Sequence, residues 1–477
     1  MKKLYFLVFI IIIFSLNIFS QKQGNIWYFG EHAGLDFNYY PPLPITDGMI
    51  SSPPMPPGNY NQEGCSTICD STGTLLLYTD GNTIWDKNHQ IINNGDSLMG
   101  HRSSTQAALI LPKPNSNDIF YVFTTDGFQN EFNNGLRYSV VDMCNDNYCT
   151  VIQGEKNILL LDTASEKLTA VKHNNNTDYW IVTVKHFTNS YYSFLLTSNG
   201  IADTVISNVG TIHTGGGTGY LSALGQMKAS PNGEKIAMVI GQQDSIRLEI
   251  FDFCDTTGVL SNPITIPDNN GLYGVSFSPD NSKLYITKSL INFQLIQYNL
   301  SAGSGHPDSI IASKFIIPLT NRARGLQLGP DGKIYTVTGN DNYLGLIEYP
   351  DSAQSACNYI NDAIYLNGAS CVYSLPNYID SYNYHNTILS CSPTHVHREK
   401  VNMPNIFPNP TTGLLRINNE ELIIKNVAVY DIYGKEVLKQ EVGIQKYVID
   451  LSNQPKGIYI VKVITDKQTI TRKVIKQ

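Results

Sequence analysis

Along most of the chain, apolar positions come in short alternating runs, each introduced by a cluster of Asp, Asn, Gly or Ser. That pattern announces β-hairpins: turn residues, then a strand with one buried face. Three late copies nearly superimpose: Ser230-Pro-Asn-Gly-Glu-Lys-Ile-Ala-Met-Val, Ser278-Pro-Asp-Asn-Ser-Lys-Leu-Tyr-Ile-Thr and Gly329-Pro-Asp-Gly-Lys-Ile-Tyr-Thr-Val-Thr, spaced 48 and 51 residues apart. The proline presets the first turn dihedral and the Gly or Asn tolerates the left-handed one, so each copy predicts a hairpin between two inner strands. Weaker copies begin at Asp70, Asn117 and Asn176.

A short strand precedes each strong copy and another follows it, giving four strands per period, the sequence signature of a propeller blade. Units of about 53 residues fill the stretch from 22 to 395 with seven blades better than with six. Trp27-Tyr28-Phe29 reads as a strand without a hairpin of its own, and Cys371-Val-Tyr-Ser-Leu375 as a lone strand at the far end. Joined in one blade, they would close the ring and remove its exposed edges. A linker with mixed charges and prolines is expected over 391–403, and a small β-sandwich of five or more strands over 404–477. The fold class expected is therefore all-β: a seven-bladed β-propeller over 22–390 followed by a small C-terminal β-sandwich.

The chain opens with Met1-Lys2-Lys3, an apolar run from Leu4 to Phe19, then Ser20. This order of charge, apolar core and small residue predicts a secretory signal peptide over 1–20, with an uncleaved membrane anchor as the alternative. Charged residues make up only 15% of the chain, and 29 Tyr and 37 Gly suit short strands and tight turns. The net charge of -7 is unevenly spread: residues 401–477 carry 11 Lys and Arg against 7 Asp and Glu, and residues 4–400 carry 20 against 33. An acidic body argues against nucleic acid as a partner, since duplex binding needs clustered cations. All eight cysteines lie beyond the signal segment. In an oxidising compartment the local pairs Cys65 with Cys69, Cys144 with Cys149, and Cys357 with Cys371 are disulfide candidates. Zinc is the alternative reading of the cysteines, but no CxxC pair or spaced histidine supports it.

The tail contains Pro408-Asn409-Pro410-Thr-Thr-Gly413, Val429-Tyr-Asp431-Ile-Tyr-Gly434-Lys435, Asp450-Leu-Ser452, Gly457-Ile-Tyr-Ile-Val-Lys462 and Lys473-Val-Ile-Lys476. In this order the blocks resemble the type A C-terminal sorting domain of substrates of the type IX secretion system of Bacteroidota. The resemblance implies passage across the outer membrane through the type IX secretion machinery, removal of the tail by a surface protease, and in some cases attachment to lipopolysaccharide. Lys473 and Lys476 would then form part of an address read by the machinery. A generic β-sandwich explains the same turns without any sorting role: Gly413 permits a positive φ, and Asp431 to Gly434 forms a turn. The body resembles the WD40-like propeller region of uncharacterised surface proteins from the same bacteria. That resemblance rests on Trp27-Tyr-Phe-Gly-Glu-His-Ala-Gly-Leu-Asp-Phe37, Glu63-Gly-Cys65, Tyr78-Thr-Asp-Gly81 and Leu375-Pro-Asn-Tyr-Ile379. It carries no activity with it.

No G-x-S-x-G, H-E-x-x-H or P-loop occurs. His213-Thr-Gly-Gly-Gly-Thr-Gly219 offers an anion cradle but lacks the Lys and helix that complete one, so a loop is the plainer reading. Asp80-Gly-Asn82, Asp268-Asn-Asn270 and Asn340-Asp-Asn342 carry oxygen ligands for Ca2+ but lack the acid spacing of a known loop; turn chemistry explains them equally. The polar residues Glu63, Asp80, Trp85, His89 and Gln106 fall near strand starts and turns of the early blades, and are candidates for a ligand face or channel lining. Alternatively they tie neighbouring blades together by hydrogen bonds.

The sequence thus points to a non-enzymatic binding or adhesion protein, secreted or on the outer surface of a Gram-negative bacterium, with a glycan or protein ligand and no cofactor. The competing class is a secreted carbohydrate-active hydrolase. Acids gathered at one mouth of the channel favour the hydrolase, and acids scattered on the rim favour the binder.

Overall fold

The computed structural model describes residues 22–50, 63–143, 149–213, 221–240, 246–268, 271–289, 293–383, 405–407, 411–418, 423–465 and 469–477. The expected signal peptide and linker lie outside these residues. The chain divides into two compact units, Met1–Cys391 and Ser392–Gln477.

Among the described residues the first unit is built from seven antiparallel sheets in chain order. Their first strands are Ile26–Phe29, Ser66–Cys69, Ala108–Pro112, Ala164–Lys172, Met227–Ala229, Leu272–Phe277 and Ala323–Leu328. In each sheet the following strands add outward by hairpins. The three proline turns do what their composition dictates. Ser230 N–H donates to Lys235 O at 2.9 Å, Ser278 N–H to Lys283 O at 3.0 Å and Gly329 N–H to Lys333 O at 2.7 Å. Gly233, Asn281 and Gly332 take the left-handed φ values of 75°, 63° and 77°. This is a β-propeller-like fold.

Neighbouring sheets are joined along their first strands. Ile110 N–H donates to Ser66 Oγ (3.1 Å) and Leu168 N–H to Gln106 Oε1 (3.2 Å). Lys167 Nζ reaches Ala223 O (2.6 Å), Gln226 N–H donates to Tyr273 O (2.8 Å), and Thr287 Oγ1 to Arg324 O (2.7 Å). The series returns to its start through Cys371 to Asp380. Gly325 N–H donates to Tyr373 O at 3.0 Å and Asn377 N–H to Cys65 O at 2.8 Å. This last segment therefore stands between the first strands of the seventh and second sheets, on the inner side of Ile26–Phe29. The edge contact of Trp27 with Tyr335 (5.4 Å) joins the seventh sheet to the first from outside.

Two expectations about closure need correction. Trp27-Tyr28-Phe29 does have a hairpin partner, pairing with Ala33–Asp36. Cys371 to Leu375 lies beside it but forms no ladder; only the Glu31–Ser370 bridge is made. Pro376 lacks an N–H, and the segment's polar groups go to side chains and carbonyls around the axis instead of along one neighbour.

The disulfide candidates also change. Cys65, Cys69, Cys357 and Cys371 are free, buried thiols. Cys65 and Cys69 sit four residues apart along one extended run, which spans roughly 13 Å and exceeds disulfide reach. Cys357 packs with Tyr285 and Ile317 under the outer sixth and seventh sheets, whereas Cys371 packs with Trp27 and its neighbours. Cys144 lies outside the described residues.

In the second unit, Asn405–Phe407, Leu414–Asn418 and Lys446–Asp450 form one sheet, and Glu436–Ile444, Ile424–Asp431, Gly457–Thr465 and Thr469–Lys476 form another. Leu415, Ile417 and Ile449 of the first share a core with Val427, Val429, Val461 and Val463 of the second. Glu436–Ile444 was not foreseen. It is an edge strand with most side chains exposed, and its apolar residues Val437, Leu438 and Val442, which pack partly buried on the core, do not alternate cleanly.

Alkylation of the unreduced, denatured protein is expected to label Cys65, Cys69, Cys357 and Cys371, and alkylation of the native protein to leave all four unlabelled. Peptide mass spectrometry reads both outcomes, and a disulfide-linked peptide containing any of the four would contradict the structure.

Candidate functional site

The first strands of the sheets start at one end of the ring, and their opening residues meet there. Glu63 precedes Ser66–Cys69 and is held by its N–H on Arg102 O at 2.8 Å. Glu166 lies in Ala164–Lys172, Tyr273 in Leu272–Phe277 and Arg324 in Ala323–Leu328. Tyr273 donates its phenol hydrogen to Glu63 Oε2 at 3.3 Å. Glu166 Oε2 accepts from Thr105 N–H and Thr105 Oγ1, both at 2.9 Å, and Oε1 accepts from Phe128 N–H at 3.0 Å. Arg324 donates to Val372 O at 2.7 Å and lies 4.3 Å over the Tyr373 ring.

Burial, and then the nearby Glu166 carboxylate, hold the Glu63 carboxyl well above the usual carboxylate range. Burial raises Glu166 too, opposed by the donors from Phe128 and Thr105. Beside it, burial lowers Lys167 to about 7, with Glu166 pulling the other way. Burial and the Glu63 charge push the Tyr273 phenol up. Two acids, a phenol and a guanidinium from four sheets thus converge, and Glu63 keeps its proton beyond the range of an ordinary carboxyl.

Below this mouth the axis is filled. Gln106 Oε1 accepts from Leu168 N–H (3.2 Å) and Met227 N–H (2.8 Å), and its Nε2 donates to Met227 O (3.0 Å). Gln226 Oε1 accepts from Val275 N–H (3.2 Å) and Leu326 N–H (3.0 Å), and its Nε2 donates to Ser374 Oγ (3.2 Å). Asn377 Nδ2 donates to Ala108 O (3.2 Å) and Leu168 O (2.9 Å). Lys228 Nζ bonds Gln327 Oε1, and Gln327 donates to Asp380 Oδ1 at 2.6 Å.

Of the sequence candidates, only Glu63 stands at the mouth. Gln106 is in the axis as a link between sheets. Asp80 is fully buried, its Oδ1 accepting from Asn82 N–H (2.9 Å) and Thr83 N–H (3.0 Å). Trp85 stacks on Tyr78 at 5.2 Å, and His89 Nδ1 meets Tyr78 Oη at 2.6 Å with Nε2 3.4 Å from Asp47. Asp80 and Trp85 make these contacts within the second sheet, and His89 links it to Asp47 and to the Tyr28 ring of the first sheet. Glu166, Tyr273 and Arg324 were missed. A signal existed: Tyr273 and Arg324 each stand six residues before a turn proline and directly before a glycine.

Asp268, a Ca2+ candidate, pairs with Lys288 at 2.6 Å, and Asp341 lies 3.6 Å from Arg322. Among the described residues no three His, Cys, Asp or Glu side chains gather as a metal site. In the Gly-rich run only His213 is described; it is buried, 3.6 Å from Glu249.

In the tail, Asp431 Oδ1 accepts from Tyr433 N–H and Lys435 N–H, both at 2.9 Å, and Gly434 has φ 80°. Gly413 has φ 149°, and a Cβ there would meet Ser452 Oγ at 2.6 Å. Gly457 has φ 154°, and Lys462 is exposed. Lys473 is exposed, but Lys476 is buried and its ammonium holds the carbonyls of Ser452 (2.9 Å) and Gln454. Pro408, Asn409 and Pro410 lie outside the described residues.

Residues 405–477 match the family described as the secretion system C-terminal sorting domain. The protein therefore carries an export address at its C-terminal end. It is a substrate of the type IX secretion system of Bacteroidota, interacts with that machinery, and is secreted or placed on the outer cell surface. No curated protein matches the chain. Among solved structures, PorZ, an essential surface component of the type IX secretion system of Porphyromonas gingivalis, is similar with TM-score 0.36 and 12% identity over 93% of this chain. The chain spans 62% of PorZ. A putative 6-phosphogluconolactonase from Bacteroides fragilis has TM-score 0.41 and 12% identity, covering 75% of this chain and 98% of that one. The periplasmic gluconolactonase of Pseudomonas aeruginosa has TM-score 0.34 and 12% identity, covering 79% and 98%.

Because the Glu63 carboxyl is raised in the folded state, the stability it contributes is complete below its unfolded pKa and is lost as pH rises through the folded value. Glu63→Gln, which stays neutral, should unfold at a higher temperature than the parent at pH 8 and at nearly the same temperature at pH 4. Parallel melting profiles across that range would contradict the placement of Glu63.

Proposed function

We propose that the body is a closed seven-bladed β-propeller that acts outside the cell as a binding or adhesion module, taking a glycan or protein ligand at the mouth bearing Glu63, Glu166, Tyr273 and Arg324. The observation that carries this reading is the convergence of those four side chains from four sheets above a filled axis. Glu63 and Arg324 are partly exposed there and offer fixed donors and acceptors suited to reading hydroxyl or amide patterns, while the buried Glu166 and Tyr273 hold the site from beneath. A hydrogen-bonded phenol and a protonated carboxyl can both donate and accept, as a sugar hydroxyl requires. After export, a surface protease removes the sorting domain, and the body is released or attached through lipopolysaccharide.

A second reading, a carbohydrate-active hydrolase, is favoured by the meeting of two acids at one mouth. Against it stands Glu166, both of whose oxygens already accept hydrogen bonds from Thr105 and Phe128. A carboxylate so engaged is a structural anchor more readily than a proton shuttle.

Two experiments test these readings. Deleting residues 405–477 in the native host should keep the protein off the outer surface and out of the medium; unchanged export would contradict the sorting role. The exported protein screened on a glycan array and against host surface proteins should bind a ligand, and Arg324→Ala or Glu63→Ala should weaken that binding at least tenfold. Binding untouched by both variants moves the ligand site elsewhere, and turnover of a glycoside lost in Glu63→Gln establishes the hydrolase.

A further inference from the structure

Resting on the reading of this mouth as the binding site, we propose that its ligand is an acidic oligosaccharide: a sugar carboxylate sits on Arg324, and the chain runs outward over the seventh sheet onto the Tyr343–Tyr365 pair. One row of residues at the mouth end of that sheet carries the inference. Ala323 pairs with Thr338, Val337 with Leu344, and Tyr343 with Tyr365. Thr338 Oγ1 donates to Tyr343 O at 3.1 Å, which completes the row across all four strands. Arg324 thus marks its inner end and Tyr365 its outer end, three interstrand spacings or roughly 14 Å away. A strip of that length suits a chain of sugars rather than a single ring.

Each part of the strip offers different chemistry. Arg324 is partly exposed, donates to Val372 O at 2.7 Å and lies over the Tyr373 ring. Among the described residues no carboxylate pairs with it. Burial holds the nearby Glu63 carboxyl above the ordinary range, and Glu166 spends both oxygens on Thr105 and Phe128. A planar guanidinium with spare donors matches a carboxylate. Midway stands Asp341, partly exposed and 3.6 Å from Arg322, so a donor and an acceptor for hydroxyls lie side by side. Cys371 N–H on Asp341 O (2.8 Å) and Asn342 Nδ2 on Ala369 O (2.8 Å) fix this turn in place. At the outer end the rings of Tyr343 and Tyr365 lie 5.0 Å apart, and Tyr365 is 49% exposed. Such rings give apolar area with polar tips, as the C–H face of a sugar requires.

An acidic peptide would dock differently, by adding a strand along a free edge. This strip instead crosses four strands whose backbone groups already pair with one another, so recognition falls to side chains. The body's excess of acids disfavours densely charged chains, and spaced carboxylates are the better match.

Titration calorimetry of the exported protein with uronate and sialylated oligosaccharides, each beside its methyl ester, tests the assignment. Esterification should weaken binding at least tenfold, and Arg324→Ala should cost the free acid more than the ester. Where Arg324→Ala does not accumulate, Arg324→Lys, which keeps the charge but loses the fork, should show the same bias at smaller amplitude. Tyr365→Ala, at an exposed position, should weaken an oligosaccharide about tenfold more than the corresponding monosaccharide. Binding of neutral glycans that Arg324→Ala and Glu63→Ala still weaken would overturn this ligand class and leave the mouth as the site. Carboxylate-dependent binding untouched by Arg324→Ala and Tyr365→Ala would overturn both. Binding of acidic peptides alone, or of no carboxylated glycan, would overturn the proposal as well.

Discussion

Bringing seven first strands around one axis turns their inner N–H and C=O groups toward a space with no strand to receive them. Three amide side chains, Gln106, Gln226 and Asn377, meet that demand by bonding at once to an adjacent sheet and to one beyond it: Gln106 to Leu168 and Met227, Gln226 to Val275 and Leu326, Asn377 to Ala108 and Leu168. An amide suits the task because it donates and accepts at one end of an uncharged side chain. The rest of the propeller-like body is arranged about these bonds: the candidate site lies where the first strands start, and the following strands add outward by hairpins.

The charged groups near the axis show the cost of such a narrow centre. Lys167 is satisfied by carbonyls of residues 222–224 and Glu166 by backbone N–H groups, so both are neutralised by dipoles more than by each other. Glu63 has fewer donors and holds its proton instead. That difference singles it out from the acids on the outer sheets. Asp252 pairs with Lys235 and Asp268 with Lys288 there.

The late hairpins were legible in the sequence because turn chemistry is local: a proline, an Asn or Asp, and a residue that accepts positive φ suffice to place them. The two-sheet sorting domain was legible for a similar reason, since Asp431, Gly434 and Gly413 are demanded by individual turns. The site was mostly illegible. Asp80, Trp85 and His89 are polar or aromatic residues near turns and strand starts, as Glu63 is, and composition alone does not separate them from it. Asn377 stood out only as part of the Leu375 to Ile379 motif and not as a link between sheets, because its partners Ala108 and Leu168 lie hundreds of residues away. Lys476, which the resemblance makes part of the address, also caps carbonyls of its own domain, a role fixed by tertiary folding that the sequence did not show.

The central claim is that the end of the body fills the axis and closes the ring. A crystal structure of the exported protein at a resolution that orients side-chain amides tests it most directly. The account predicts density for residues 371–380 along the axis, with the Asn377 amide on the carbonyls of Ala108 and Leu168. An open axial channel with that segment packed outside the ring would contradict it.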